Sequence, residues 1–143
     1  MTRTLSEGGN DIIFNEYNFE DVFYNDVSGA VKSIAVSSPY LRERSVKTFI
    51  RNTELMQDVE ITVFTKEPEE KNKAKSVRPV KLLEDAGIKV IVLPKLYQKF
   101  AVIDGITVWY GGVNLLGAGY SDESIMRIPG REIADELMRG VGC

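Results

Sequence analysis

Apolar residues in this chain switch repeatedly between two spacings, and that alternation restricts the fold more than any other feature. Phe19, Val22, Phe23, Val27 and Ala30 recur at helical spacing and predict an amphipathic helix. Within residues 32–37, Ile34-Ala35-Val36 is a short buried strand bounded by turn formers. Ser38-Pro39 reads as an N-cap followed by proline at the first helical position. Val46, Phe49 and Ile50 then supply an apolar stripe. Residues 58–65 alternate as a strand does, whereas residues 66–76 are polar without a period and predict an exposed loop. Pro79 opens a short helix with Val80, Leu82, Leu83 and Ala86, and Gly87 ends it. Residues 88–93 form another apolar strand. Residues 98–103 and 106–110 predict two strands joined at Asp104-Gly105, the strongest short hairpin signal in the chain. A short strand at 124–128 precedes a helix with Ile133, Ala134, Leu137 and Met138 on one face. The order α-β-α-β-α-β-β-β-β-α predicts an α/β sandwich, a mixed β-sheet flanked by helices.

The 143 residues suit a single domain, 1–143, with a sizeable core. Hydrophobic residues at 43% and charged residues at 27% fit a globular rather than a disordered chain. No apolar run approaches the roughly 18 residues of a membrane span. The first residues lack the apolar segment of a secretory signal. The lone cysteine, Cys143, excludes a disulfide framework within the chain and is compatible with a reducing cytosol, so a cytoplasmic location is expected. The net charge of −3 argues against a strongly basic footprint for nucleic acid over the whole domain. The chain has no histidine, which removes histidine metal sites, Ser-His-Asp triads and Cys-His dyads from consideration.

Residues 96–114, LYQKFAVIDGITVWYGGVN, concentrate the chemistry. Residues two apart on a strand share a face, so Tyr97 and Lys99 are expected to point the same way. The hairpin returns Gly111-Gly112-Val113-Asn114 to the neighbourhood of Lys99. A cation, an amide donor and two glycines that permit close backbone approach make an oxyanion or phosphate pocket. Lys71, Lys73, Lys75, Arg78 and Lys81 form a basic cluster after Glu67, Glu69 and Glu70. It reads first as a solvated, mobile loop and second as a contact for a nucleic-acid backbone. Ser37 and Ser38 stand at a strand's carboxyl end, but capping accounts for Ser38 and neither is placed in the site. Trp109 and Tyr110 read as packing groups rather than base-stacking ones.

The spacing Lys99-x4-Asp104-x6-Gly111-x-x-Asn114 resembles the HKD motif of the phospholipase D superfamily, H-x-K-x4-D-x6-G-S-x-N. Four of the six fixed positions match without a gap. The whole stretch, followed by ESIMRI, resembles single-motif domains of bacterial nuclease-like proteins and of some DNA and RNA helicases. AVKSIAVSSPYL and LLEDAGIKVIVL extend the likeness over nearly the whole chain. The resemblance implies a phospholipase D-like half-domain, an α-β-α sandwich. In that family the histidine attacks phosphorus, a second motif's histidine protonates the leaving oxygen, and lysine and asparagine bind non-bridging oxygens. A downstream acid orients the histidine, and Glu123 is its candidate here. The implied site is therefore Tyr97, Lys99, Asp104, Asn114 and Glu123, with Lys99, Gly112 and Asn114 around the phosphate. The role implied for Asp104 is largely structural, as a turn former. The family chemistry uses no metal, so neither metal nor cofactor is expected.

Two positions depart from the motif: Tyr97 replaces its histidine and Gly112 its serine. Imidazole titrates near about 6.5 and a phenol near about 10, so tyrosine does not simply inherit the nucleophile's work. Natural degeneration, an introduced inactivating substitution and a switch to a tyrosine nucleophile all fit the sequence. The first functional reading is a nuclease-like phosphodiesterase domain with impaired catalysis, acting on DNA or RNA phosphodiesters. The second is a non-catalytic nucleic-acid-binding or assembly module of a larger helicase-type protein. The third, a phospholipid hydrolase, is disfavoured because no basic amphipathic stretch with exposed aromatics is present. The resemblance implies a two-fold homodimer completing the site, with apolar faces near Trp109 and Val113 partly uncovered in one copy.

Overall fold

A computed structural model describes residues 12–117 and 122–142. Its strands are β1 (Ile13–Asn15), β2 (Ser33–Ser37), β3 (Glu60–Lys66), β4 (Lys89–Leu93), β5 (Lys99–Ile103), β6 (Thr107–Gly111) and β7 (Ser124–Pro129). The α-helices are α1 (Glu20–Ser28), α2 (Glu43–Thr53), α3 (Lys73–Asp85) and α4 (Arg131–Gly140). The strands form one mixed sheet in the order β1-β7-β6-β5-β2-β3-β4. β2, β3 and β4 are mutually parallel, and the remaining pairings are antiparallel. The expected α/β sandwich is therefore present.

Alternation along the strands divides the core into two layers. Ile34, Val36, Ala101, Ile103 and Trp109 pack with Phe23 and Val27 of α1, Val46 and Phe49 of α2 and Leu83 of α3. Ala35, Phe64, Phe100, Val102 and Val108 pack on the other face against Ala134 of α4. Trp109 lies edge-on to Phe23 at 5.5 Å between ring centroids. Its Nε1 donates to Asp26 Oδ2 at 2.9 Å, and Asp26 also receives Arg127 Nε and Nη2 at 2.6 and 2.8 Å. This ties α1 to β6 and β7. It also overturns one expectation: Trp109 and Val113 are buried within a single copy, so they are not an uncovered face.

Four local readings are corrected as well. β1 is absent from the sequence pattern, because three residues are too few to display a period, yet it pairs with β7. The segment read as a loop at 66–76 contains a 3-10 turn, Glu70–Asn72, and the first turns of α3. Their side chains face water, so no apolar rhythm betrays the helix. Pro79 lies inside α3 and does not open it. Several of the basic residues there are ion-paired: Lys73 with Glu70, Arg78 with Glu43 and Lys81 with Asp85. Finally, α2 begins at Glu43 after an extended Arg42, so Ser38 is not its cap.

Candidate functional site

The topology brings several strand ends to one edge of the sheet. The carboxyl ends of β2, β3 and β4, the start of β5, the end of β6 and the start of β7 all meet there. Open α/β sheets commonly bind ligands beyond the carboxyl ends of their parallel strands. Lys99 opens β5 and stands opposite Gly111 on β6. It shares a face with Ala101 and Ile103, the α1–α3 side. Its Nζ is 3.4 Å from the carbonyl oxygen of Gly112.

Gly112 is held by its N–H, which donates to Ser124 O at 2.7 Å. A Cβ added there would overlap Glu123 Oε1. The Glu123 carboxylate therefore occupies space that the motif's usual serine would need. Glycine at 112 and the position of Glu123 are thus two halves of one local arrangement. Asn114 follows two residues later, and its Oδ1 accepts from the Tyr40 backbone N–H at 3.3 Å. With that oxygen engaged, the side-chain NH₂ is the group available to an incoming acceptor.

Two buried serines brace this edge. Ser37 Oγ donates to Gln98 O at 2.7 Å, fixing the chain just before Lys99. Ser38 Oγ donates to Tyr40 O at 2.7 Å and accepts from Leu116 N–H at 3.2 Å. The residue read as a helix cap instead joins the loop after β2 to the loop after β6. A substitution there would leave buried backbone groups unpaired.

Tyr97 is 71% exposed and lies before the start of β5. The two-residue alternation expected to align it with Lys99 therefore has no strand to act through. Its ring instead has the ammonium of Lys66 above it, 5.3 Å from the centroid. The same ammonium lies 5.9 Å from the centre of the Tyr40 ring. Neither Tyr40 nor Lys66 stands out in the sequence. Their only signal is position, just after β2 and at the last residue of β3, where ligands of α/β sheets gather.

Asp104 is not brought to this edge. It follows β5 on the opposite side of the sheet, five residues from Lys99, or about 17 Å along an extended strand. Its φ of 55° and the 72° of Gly105 make the tight left-handed turn that the hairpin needs. Its carboxylate accepts N–H groups of Val31, Lys32 and Ser33 at 2.7–3.1 Å. Desolvation disfavours its charge, but the three donors and nearby Lys32 outweigh that and hold its carboxyl below the ordinary aspartate value. Asp104 locks the turn after β5 and is not brought to the edge that holds Lys99.

Among the described residues no cluster of three or more His, Cys, Asp or Glu is arranged to hold a metal. Among the same residues no helix is long and apolar enough to cross a membrane.

The family described as "Cardiolipin synthase, PLD-like domain" matches residues 24–140. No curated protein matches the chain by sequence. Among solved structures, the fold is similar to Nuc from Salmonella typhimurium, a phospholipase D family member. The TM-score is 0.67 at 15% identity over 85% of this chain and 82% of that one. NucT from Helicobacter pylori gives 0.68 at 17% identity over 89% of each chain. TrmBL2, an archaeal chromatin protein with a novel mode of DNA binding, gives 0.59 at 11% identity over 95% of this chain and 53% of that one.

Proposed function

The chain belongs to the phospholipase D-like family, and on that premise we propose that it is a nuclease-type phosphodiesterase domain with a working phosphate pocket and a disabled nucleophile position. The observation that carries this reading is the convergence of Lys99, Gly112 and Asn114 on one sheet edge, with Tyr97 in place of histidine. Lys99 supplies the cation and Asn114 an amide donor for the non-bridging oxygens of a phosphodiester. Neither needs a metal. Glu123, packed against Gly112, is the acid that would orient an imidazole at position 97.

A second copy completes the site in this proposal, because one chain carries one motif. A surface fit for that contact lies near the same sheet edge, on the α4 face. Ile13, Met126 and Tyr110 stand opposite one another across β1, β7 and β6. Directly opposed residues share a face, and these three are 64%, 37% and 37% exposed. The row lies one residue along β6 from Gly111, on the α4 face of the sheet and not on the face of Lys99, and replaces the expected faces at Trp109 and Val113. Sedimentation should report a dimer at tens of micromolar, and Tyr110→Glu should shift it to monomer. A parent that sediments as a monomer contradicts the two-copy site.

Hydrolysis tests the chemistry. The parent should hydrolyse bis(p-nitrophenyl) phosphate or single-stranded DNA barely or not at all. Tyr97→His provides the nucleophile in one copy and the general acid in the other. General acid catalysis alone is worth about 10²–10⁴-fold, so activity should rise at least roughly 10²-fold. The gained activity should survive EDTA. An inert Tyr97→His favours a pure binding module, the second reading. An active parent that accumulates phosphotyrosine makes Tyr97 a nucleophile in its own right.

A further inference from the structure

A cleft of about 570 Å³ lies between α3 and the carboxyl ends of β2, β3 and β4. It is distinct from the phosphate pocket, since neither Lys99, Asn114 nor Tyr97 lines it. It nevertheless adjoins that pocket through two residues. Tyr40 lines the cleft and donates its backbone N–H to Asn114. Lys66 lines the cleft and sets its ammonium over Tyr97. A group attached to a phosphate at Lys99 and Asn114 would therefore meet Tyr40 and Lys66 next, and the cleft behind them. We propose that this cleft is a flanking-nucleotide subsite, in which a nucleobase of a single-stranded nucleic acid is received by Tyr40, Lys66 and the α3 wall. The proposal rests on the phosphate-pocket reading and names the kind of group its substrate carries beside the phosphate.

Size, lining and mouth each support a base. The volume falls within the roughly 300–1,000 Å³ typical of small-molecule sites, ample for one nucleoside. Leu41, Val77, Val80 and Val92 give it an apolar wall, and Asn72 among the lining residues carries an amide of the kind that pairs with a base edge. At the mouth, the Tyr40 and Tyr97 rings are 57% and 71% exposed, with a lysine between them. Among the described residues Lys66 has no carboxylate within ion-pair distance. Exposed aromatic faces interleaved with a cation are what sequence-tolerant single-strand binding uses, because every base has a π-face and every link a phosphate. An acyl chain would fill the apolar wall but gain nothing from the rings or the ammonium.

Equilibrium binding of a fluorescein-labelled hexathymidylate, followed by anisotropy, tests the assignment, with inorganic phosphate titrated separately. Val77 is exposed on α3, so Val77→Trp fills the cleft without disturbing the core. Val77→Trp and Lys66→Ala should each weaken oligonucleotide binding about tenfold, within the range found for loss of a single base stack. Lys66→Arg should retain it, and all three variants should bind inorganic phosphate as the parent does. Unchanged oligonucleotide binding in Val77→Trp, with phosphate still lost in Lys99→Ala, overturns the subsite and leaves the phosphate pocket standing. A parent that binds neither ligand overturns the pocket reading and the subsite with it. Binding of phosphatidylglycerol vesicles, blocked by Val77→Trp while the oligonucleotide is ignored, assigns the cleft to a lipid chain and overturns the nucleobase.

Discussion

The two ends of β5 carry two residues of the same motif under opposite physical conditions. At the Ile103 end, Asp104 is saturated: three backbone N–H groups converge on its carboxylate, and its backbone sits in a left-handed turn. At the Lys99 end, the ammonium reaches one carbonyl oxygen at a long 3.4 Å, and an exposed tyrosine precedes the strand. The first arrangement leaves nothing for a ligand to bind. The second leaves donors open. A motif read as one constellation thus divides into a saturated part and a part whose donors stay open. Asp104 fixes the turn and the register of β5 against β2 and β6, and that register delivers Lys99 opposite Gly111 at the other edge.

The sharpest way to break this division is to mutate both ends in the histidine-restored protein. Lys99→Ala added to Tyr97→His should erase the gain, a loss of at least roughly 10²-fold. Asp104→Asn in the same background should change the rate by less than about tenfold, because it touches no reacting group. Equal losses from both would mean that Asp104 acts in catalysis and that the division is false.

Stability should show the reverse order. Asp104→Ala leaves three N–H groups without their acceptor and puts a Cβ-bearing residue without a polar side chain at positive φ. It should cost about 1–3 kcal/mol in denaturant unfolding. Lys99→Ala, half-buried with one long contact, should stay within about 0.5 kcal/mol. The Asp104 contribution also has a definite pH signature. Its folded value lies below the unfolded one, so its stabilisation is complete above about pH 4 and is lost as pH falls through the folded value. The stability gap between parent and Asp104→Asn should therefore shrink in acid. A gap that widens below pH 4 contradicts the assignment.

A modest effect is expected at Gly112. Gly112→Ser restores the motif's usual residue against Glu123, whose carboxylate can swing away but whose Cβ, 3.0 Å from the added one, must give by a few tenths of an ångström. A cost of about 1 kcal/mol or less is expected. A larger loss would mean that Glu123 is held in place more firmly than its contact with Gly112 requires.

Much of this architecture is legible in the residues themselves. The buried strands, the hairpin at Asp104-Gly105 and the edge that gathers Lys99, Gly112 and Asn114 follow from periodicity, turn chemistry and motif spacing. The features that periodicity and motif spacing miss are hidden for definable reasons. The first turns of α3 bury almost nothing, so their polar residues look like a loop. β1 is too short to show alternation. Ser38 has the chemistry of a cap, and only the three-dimensional return of residues 114–117 reveals it as a brace between loops. Tyr40 and Lys66 come from two strand ends far apart in sequence, and no local pattern joins them to Tyr97.

Phosphate binding is the shortest test of the pocket, because it needs neither turnover nor a restored nucleophile. In a ¹H–¹⁵N spectrum of the parent titrated with inorganic phosphate, shifts should appear at Lys99, Gly112 and Asn114 and none at Asp104. Lys99→Ala should abolish them. Shifts that centre on the Asp104 turn, or that persist undiminished in Lys99→Ala, would contradict the pocket.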